Sequence, residues 1–424
     1  MLSREENDLL TRVGPGTLMG ELFRRYWIPS LLSEEIPTPD CPPVKVRLLG
    51  EDLIAFRDTQ GRIGLLGEHC LHRRASLFYG RNEECGLRCI YHGWKYDVEG
   101  NVLETPAEPP ESNLKHKVHH TAYPCREASG VVFTYMGPKE KMPLFPNYDW
   151  LSVPTNYVGA TKFFIECNYL QALEGDCDTS HVGYLHLGNP DESGGGDIGK
   201  IAGIDRAPRF ELEETWCGIK CVATRKVSSD TKSIDVSAFA MPFIGSVPAG
   251  KKINGKLDGF LAVYQTPSDD THTWRYNFRF QRSEPTSKEV LEFDRVQLGP
   301  DFKLIANKRN EYLLDREKQK TTNSAGIEGF ATQDACVSES MGPITDRTQE
   351  HLGASDEYVI ALRKFLLRAV RDFQKGIDPP GLAWDPAMNK FSAANCSSAS
   401  LPISAPAGGQ SEDSGGRGSP HVSR

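Results

Sequence analysis

Residues 70–96 read CLHRRASLFYGRNEECGLRCIYHGWKY, and two short spacings inside them set the architecture around them. The first is Cys70-x-His72 and the second Cys89-x2-His92, with sixteen residues between the pairs. Two thiolates and two imidazoles suit either a tetrahedral zinc ion or a [2Fe–2S] centre in which two histidines hold one iron and two cysteines the other. Zinc ribbons and fingers pair each cysteine with a neighbour a few residues on. Here each short loop offers one cysteine and one histidine, so each can feed both irons, and the two-iron reading is preferred over zinc or four unrelated turn residues. Aromatic and glycine residues in IYHGWKYD (residues 90–97) can shield such a cluster and let backbone approach its sulfides.

Outward from this segment, Val44 to Tyr135 breaks into short β-type runs such as VKVRLLG, LIAFRD and VVFTYMG, separated by Gly, Asp and Asn turn signals. The expectation is a small antiparallel β domain over residues 44–150, preceded by an N-terminal segment, 1–43, and closed by a proline-rich linker from Pro143 to Pro154. Phe163 to His186 carries apolar residues at mixed helical spacing, and Gly188 to Gly199 reads as a loop. GIKCVATRKV, SIDVSAFAMPFI, GFLAVYQT and HTWRYNFRFQ predict a second antiparallel sheet. Helical patterning at Phe302–Glu317 and Asp356–Phe373 predicts helices that cover it. The fold class is thus α+β, with a catalytic domain over residues 151–388 and a Ser/Gly/Ala/Pro-rich tail, 389–424, expected to be disordered.

The chain has 424 residues, room for about two to three domains, and no internal repeat at solenoid or propeller periods. It is 38% hydrophobic and 25% charged, with a mean hydropathy of -0.45, and no apolar run approaches the roughly 18–20 residues of a membrane span. The N-terminus, MLSREENDLL, lacks an apolar core segment, which predicts a protein that stays in the cytoplasm. Eleven cysteines, an odd and dilute number, argue for reduced thiols, some of them metal ligands. A net charge of -8 argues against nucleic acid or an anionic membrane as partner and leaves a small molecule or a protein.

A second constellation lies in LQALEGDCDTSHVGYLH, residues 170–186, where Asp178 stands three residues before His181 and His186 five after it. A spacing of three shares a helix face and a spacing of five does not, so Gly183 is expected to mark a kink that turns both imidazoles onto one metal. Two histidines and a carboxylate make the facial triad of a non-haem Fe(II) site, with open positions for O₂ and substrate. A polar helix end with two surface histidines is the plainer alternative. Asp178 can be the third ligand, or it can hydrogen-bond the other nitrogen of His181 and fix its tautomer. In the second case the carboxylate comes from downstream, with Asp334 in GFATQDACVSESMG first and Asp346 second; a capping role is the alternative for Asp334.

Together, CLHRRASLFYGRNEECGLRCIYHGWKYDVEG, YLQALEGDCDTSHVGYLH and QDACVSESMGPITDRTQEHLG resemble a Rieske non-haem iron ring-hydroxylating oxygenase, α subunit, of the phthalate dioxygenase group. That group includes phthalate, isophthalate, phenoxybenzoate and chlorobenzoate dioxygenases. The resemblance runs from about Val13 to about Asp372 and implies that Cys70, His72, Cys89 and His92 bind the cluster and that His181, His186 and Asp334 bind the mononuclear iron. Asp334 and Glu339 match the D-x4-E of the third-ligand segment. Asp178 matches the aspartate that bridges to a cluster histidine of a neighbouring subunit, which implies a head-to-tail homotrimer or stacked hexamer. Ala75 and Tyr91 stand where respiratory Rieske proteins carry an extra disulfide, which makes the cluster of the oxygenase type. Leu71 and Arg74 depart from the usual proline and glycine. An inward Arg74 would raise the cluster potential, and a positive φ there would strain an arginine. Cys85 has no assigned role.

The resemblance implies O₂ activation at the ferrous iron with electrons from the cluster, giving a cis-dihydrodiol, or a phenol or demethylated product if one oxygen atom enters. A pure electron carrier would leave the residues after Tyr135 without a role, and a zinc module would be colourless. Aromatic carboxylates need a cation, and Arg209 and Arg225 are the candidates. No G-x-G-x-x-G follows a strand in a βαβ unit, so NADH is expected to act through a separate flavin and [2Fe–2S] reductase.

Overall fold

The computed structural model describes residues 1–188, 198–248, 252–253, 256–287, 292 and 295–391. Two short helices open the chain, α1 (Arg4–Thr11) and α2 (Leu18–Phe23). The side chains of Ser3 and Thr17 cap them by accepting from Glu6 N and Gly20 N. Ten strands follow: β1 (Trp27–Leu32), β2 (Val44–Leu48), β3 (Glu51–Arg57), β4 (Ile63–Gly67), β5 (Arg81–Glu83), β6 (Gly86–Arg88), β7 (Lys95–Tyr96), β8 (Val102–Glu104), β9 (Cys125–Ala128) and β10 (Val131–Tyr135). They form three antiparallel sheets, ordered β1-β10-β9, β2-β3-β4 and β5-β6-β7-β8. Ile54, Phe56, Leu66, Leu77, Leu87, Trp94 and Tyr96 make a separate core under the two cysteine–histidine loops.

The larger unit is built on a seven-stranded antiparallel sheet. Its members in chain order are β11 (Val158–Ile165), β12 (Arg209–Glu214), β13 (Gly218–Lys226), β14 (Lys232–Ala240), β15 (Ile244–Pro248), and then β18 (Gly259–Asp269) and β19 (His272–Gln281). Two-residue strands β16 (Lys252–Ile253) and β17 (Lys256–Leu257) pair with each other outside it. Across the sheet the order is β11-β19-β18-β15-β14-β13-β12. The helices of this unit are α3 (Tyr169–Asp176), α4 (Ile198–Ile204), α5 (Arg316–Thr321), α6 (Phe330–Ser340) and α7 (Glu357–Gln374). The buried stripe of α7, Tyr358, Leu362, Phe365, Leu366 and Ala369, is the one its periodicity predicts.

Five expectations change. The segment 163–186 is not one bent helix: Phe163–Ile165 end strand β11, where Phe163 pairs with Arg275, and Asn168 then caps α3 by accepting from Leu170 N at 3.1 Å. The segment 302–317 holds no long helix, because Glu311, Tyr312 and Leu313 take positive φ between two short turns. The proline-rich stretch packs instead of linking, with Tyr148 and Trp150 stacked at 4.2 Å and buried. Residues 1–43 are no separate segment: β1 pairs with β10, and Leu10, Phe23 and Ile28 share one core with the seven-stranded sheet and α7. At the other end Phe391 is buried against Tyr148, so packed chain runs past residue 389, while 189–197 and 392–424, where the loop and tail were expected, lie outside the described residues.

Candidate metal centres

The first centre is made by the two turns that flank β5 and β6. Each turn closes on its own backbone: Arg74 N donates to Cys70 O at 3.0 Å, and Gly93 N to Cys89 O at 3.0 Å. Gly93 has φ +76°, and its Cα faces Pro106, where a Cβ would come within 2.6 Å of the ring. Cys70 and Cys89 are buried free thiols. The rings of His72 and His92 sit 4.5 Å apart, and His72 stacks flat on Trp94 at 5.1 Å. His72 Nδ1 is buried without a hydrogen-bond partner. An orphaned imidazole nitrogen beside two buried thiols is what a metal would satisfy, and the donor set fits a [2Fe–2S] group. Tyr96 was missed from sequence: its hydroxyl lies 3.1 Å from Cys70 Sγ and accepts from Leu71 N at 3.0 Å. If Cys70 held an iron as a thiolate it would carry no proton, and Tyr96 would be the donor to its sulfur.

The second centre joins the turn after α3 to helix α6. Helix α3 ends at Asp176, and a single tight turn, His181–Gly183, follows. Gly183 matters through close approach and not through a kink: a Cβ there would stand 2.4 Å from the Ala202 carbonyl of α4. His181 Nε2 and His186 Nε2 are 3.2 Å apart, and Asp334 Oδ1 lies 3.1 Å from the second and 3.7 Å from the first. Metal–ligand bonds of about 2.1 Å at right angles put donor atoms about 3.0 Å apart; the two edges that meet at His186 match this, and the edge between His181 and Asp334 is wider. These residues form a group able to hold a metal ion.

His186 Nδ1 hydrogen-bonds Gln333 Oε1 at 2.6 Å, which leaves Nε2 for a metal. Gln333 in turn donates to Ile327 O at 2.7 Å. Asp178 is not part of the ligand group. Its Oδ2 is 3.7 Å from His181 Nδ1, an ion-pair distance too long for a hydrogen bond, and its Oδ1 accepts from Ser180 N at 2.7 Å. Burial alone would raise the Asp334 pKa, but the two imidazoles and Arg275 outweigh it and hold it at about 2. Asp346 sits elsewhere and binds Thr348. Glu339 is buried, accepts from Glu166 N at 2.9 Å and bonds the Tyr312 hydroxyl, so it braces α6 against β11.

Comparison with known proteins gives the family. Residues 26–124 match the Rieske [2Fe-2S] domain, and residues 134–396, more than half of the chain, match the family described as LigXa C-terminal domain like. The chain belongs to the Rieske non-haem iron oxygenases. Such an oxygenase carries a Rieske cluster and a mononuclear iron. Among relatives, the phthalate 4,5-dioxygenase oxygenase subunit of Pseudomonas putida is 40% identical over 391 residues, covering 89% of this chain and 88% of its own. The 3-chlorobenzoate-3,4-dioxygenase oxygenase subunit of Comamonas testosteroni is 35% identical, covering 90% and 92%. A 5,5'-dehydrodivanillate O-demethylase oxygenase subunit of Sphingobium is 32% identical, covering 92% and 85%. The solved Rieske oxygenase fold is shared with Pseudomonas putida CBB5 NdmA bound to caffeine, at a TM-score of 0.62, 18% identity, and coverage of 84% and 94%. No helix of the described residues is long and apolar enough to cross a membrane.

The two arginines expected to hold a substrate carboxylate in this oxygenase lie on opposite faces of the sheet. Arg209 pairs with Thr224 on the outer row of β12 with Glu211 and Glu213, all exposed. Arg225 is buried and turned inward, but Nη1 binds Asp235 at 2.8 Å and Nη2 the Thr179 carbonyl at 2.6 Å. Neither gives the unoccupied inward guanidinium that the expectation requires; Arg225 keeps one buried unpaired donor, Nε. Arg74 has φ +63° and an exposed side chain, so the loop is strained as expected but brings no buried charge to the cluster.

Proposed function

We propose that this oxygenase dihydroxylates an aromatic carboxylate of the phthalate, isophthalate, chlorobenzoate or phenoxybenzoate type to a cis-dihydrodiol. The observation that carries this reading is the facial spacing of His181, His186 and Asp334 in a chain 40% identical to a phthalate 4,5-dioxygenase subunit. In this reading Cys70, His72, Cys89 and His92 hold the cluster, and His181, His186 and Asp334 hold Fe(II). When bound, the two groups supply single electrons and reductive O₂ activation. The protein's part is geometric. Gln333 fixes the tautomer and plane of His186, Phe330 packs against that ring at 4.7 Å, and Gly183 lets α4 close over the His181 turn. Arg225 Nε is the donor left for a substrate carboxylate on the inner face of the sheet.

Electrons come from NADH through a separate flavin and [2Fe–2S] reductase, and the working unit is a homotrimer. Among the described residues no hydrogen bond, ion pair or ring contact joins His72 or His92 to Asp178 or His181. Ile90 and Tyr91, exposed beside His92, leave the cluster edge open for a neighbouring subunit. A second reading, single-oxygen insertion or O-demethylation of an aromatic acid, is favoured by the 5,5'-dehydrodivanillate O-demethylase relative.

The test is turnover of iron-loaded protein with a phthalate-type reductase and NADH under ¹⁸O₂ against benzoate, phthalates, chlorobenzoates and methoxybenzoates. Two labelled oxygens in one product establish the dioxygenase. One labelled oxygen or a lost methyl group establishes the second reading. Arg225→Gln should raise KM for the acid steeply while Arg209→Gln leaves it unchanged; equal kinetics in both variants remove the carboxylate role.

A further inference from the structure

The register of the central sheet places a cation against the back of the metal-facing carboxylate. Arg275 on β19 pairs directly with Phe163 on β11 and with Gln265 on β18, so the three side chains stand in one row on one face of the sheet. Asn277, one same-face step along β19, accepts from Arg275 Nε at 3.1 Å, and the guanidinium lies 5.6 Å from the Phe163 ring centroid. Above this row comes the C-terminal end of α3. Arg275 Nη1 stands 3.6 Å from Asp176 Oδ1 and 3.6 Å from Asp334 Oδ2. Asp176 is anchored in its turn by Gln265 Nε2, which donates to its Oδ2 at 2.7 Å. Gly245 on β15 makes the room, since a Cβ there would meet Asp176 Cβ at 2.7 Å.

Asp334 therefore has its two oxygens in different company. Oδ1 faces the two imidazole Nε2 atoms at 3.1 and 3.7 Å, and Oδ2 faces Arg275. We propose that Arg275, braced by Asp176, Gln265 and Asn277, is a positioning residue whose charge, at ion-pair distance from Oδ2 of Asp334, draws that oxygen away from the metal and so makes this carboxylate a one-oxygen ligand. A carboxylate free to chelate through both oxygens would fill a further coordination position. One whose second oxygen is drawn to a buried cation is biased against chelation, and the position stays open for O₂ or substrate. Asp176 completes the charge balance. Beside a metal dication an unaccompanied guanidinium would repel the ion, whereas the Asp176 carboxylate, 3.6 Å from Nη1, offsets its charge. Lysine would supply the charge but not the planar group that donates through Nε to Asn277 while Nη1 faces both carboxylates.

The inference rests on His181, His186 and Asp334 as the ligand set and is independent of which acid is the substrate. The test is Co²⁺ binding to the cluster-loaded chain, read by the ligand-field bands of Co²⁺ after subtraction of the cluster spectrum and by competition with a chelator. Wild-type protein is expected to bind Co²⁺ with the stronger bands of a low-coordinate site. Arg275→Gln should give the weaker bands of a higher-coordinate site and roughly 10–100-fold weaker retention, with Arg275→Lys between the two. Asp176→Asn should move both readouts the same way. Where Arg275→Gln fails to hold the cluster spectrum, Asp176→Asn carries the test. Co²⁺ bands and retention in Arg275→Gln equal to those of wild type overturn the proposal and leave the ligand set standing. Failure of wild type to bind Co²⁺, or binding undiminished by His186→Ala, overturns the ligand set and the proposal with it.

Discussion

Single side chains decide how well each centre holds its metal. Gln333 is the only partner recorded for His186 Nδ1 among the described residues and sits next to Asp334 on the same helix turn. Gln333→Leu should cut iron retention at the mononuclear site roughly 10–100-fold while the cluster absorption stays intact, as iron content after chelator dialysis will show. Arg74 is the converse case. Its φ of +63° costs an L-residue about 1–2 kcal/mol, and its side chain is exposed and outside the two-iron core. Arg74→Gly should raise the melting temperature followed through the cluster absorption, and leave the midpoint potential nearly unchanged. A large drop in potential would show that the guanidinium does reach the cluster. Both positions are visible as letters in the sequence, but only backbone and contacts say that one is a brace and the other a strained surface residue.

Elements position the metal ligands by how they end and how closely they approach one another. Helix α3 stops at Asp176 because Cys177, its C-cap, leaves the helical path, and the chain then needs only one tight turn to present His181. That turn is pressed against α4 through Gly183. Gly183→Ala forces Cβ into the Ala202 carbonyl, which sits 2.4 Å from that point, and should part α4 from the turn. The expected result is loss of mononuclear iron with cluster content retained, measured as two irons per chain in place of three. Sequence spacing alone implied a kink at this glycine. The spacing of five between the histidines was real, but a turn after a helix end satisfies it as well as a bent helix does.

The whole molecule is tied together at the turn between β18 and β19. The backbone of Pro267 and Ser268, near the end of β18, accepts from Leu49 N and Gly50 N of the cluster domain at 3.0 and 2.8 Å, Arg47 binds Asp269 at 3.0 Å, and Asp270 in the turn accepts from Val13 N at 2.8 Å. Next to these contacts the His272 pKa is raised, chiefly by its hydrogen bond to Asp269 with burial opposing. A raised histidine pKa gives stability that is fully present below the unfolded value of 6.5 and is lost as pH rises through the higher folded value. Denaturant midpoints should therefore fall as pH rises above 6.5, and His272→Gln should flatten that slope. The same slope in the variant would place the pH dependence elsewhere.

Chemistry that depends on local spacing is legible along the chain. Cys70-x-His72 and Cys89-x2-His92 lie in turns that each close on their own backbone, and α7 shows its buried stripe every three to four residues, so short-range order carries both. The family follows from three motifs in order along the chain. The tertiary structure alone decided which distant groups meet. Asp334 reaches the histidines because α6 packs beside α3; Arg275 and Gln265 share a row because of strand register; and Arg209 and Arg225, alike as letters near strand ends, face opposite sides because side chains alternate across a strand. Register and helix packing are set by burial summed over whole elements, and no local stretch of sequence contains that sum.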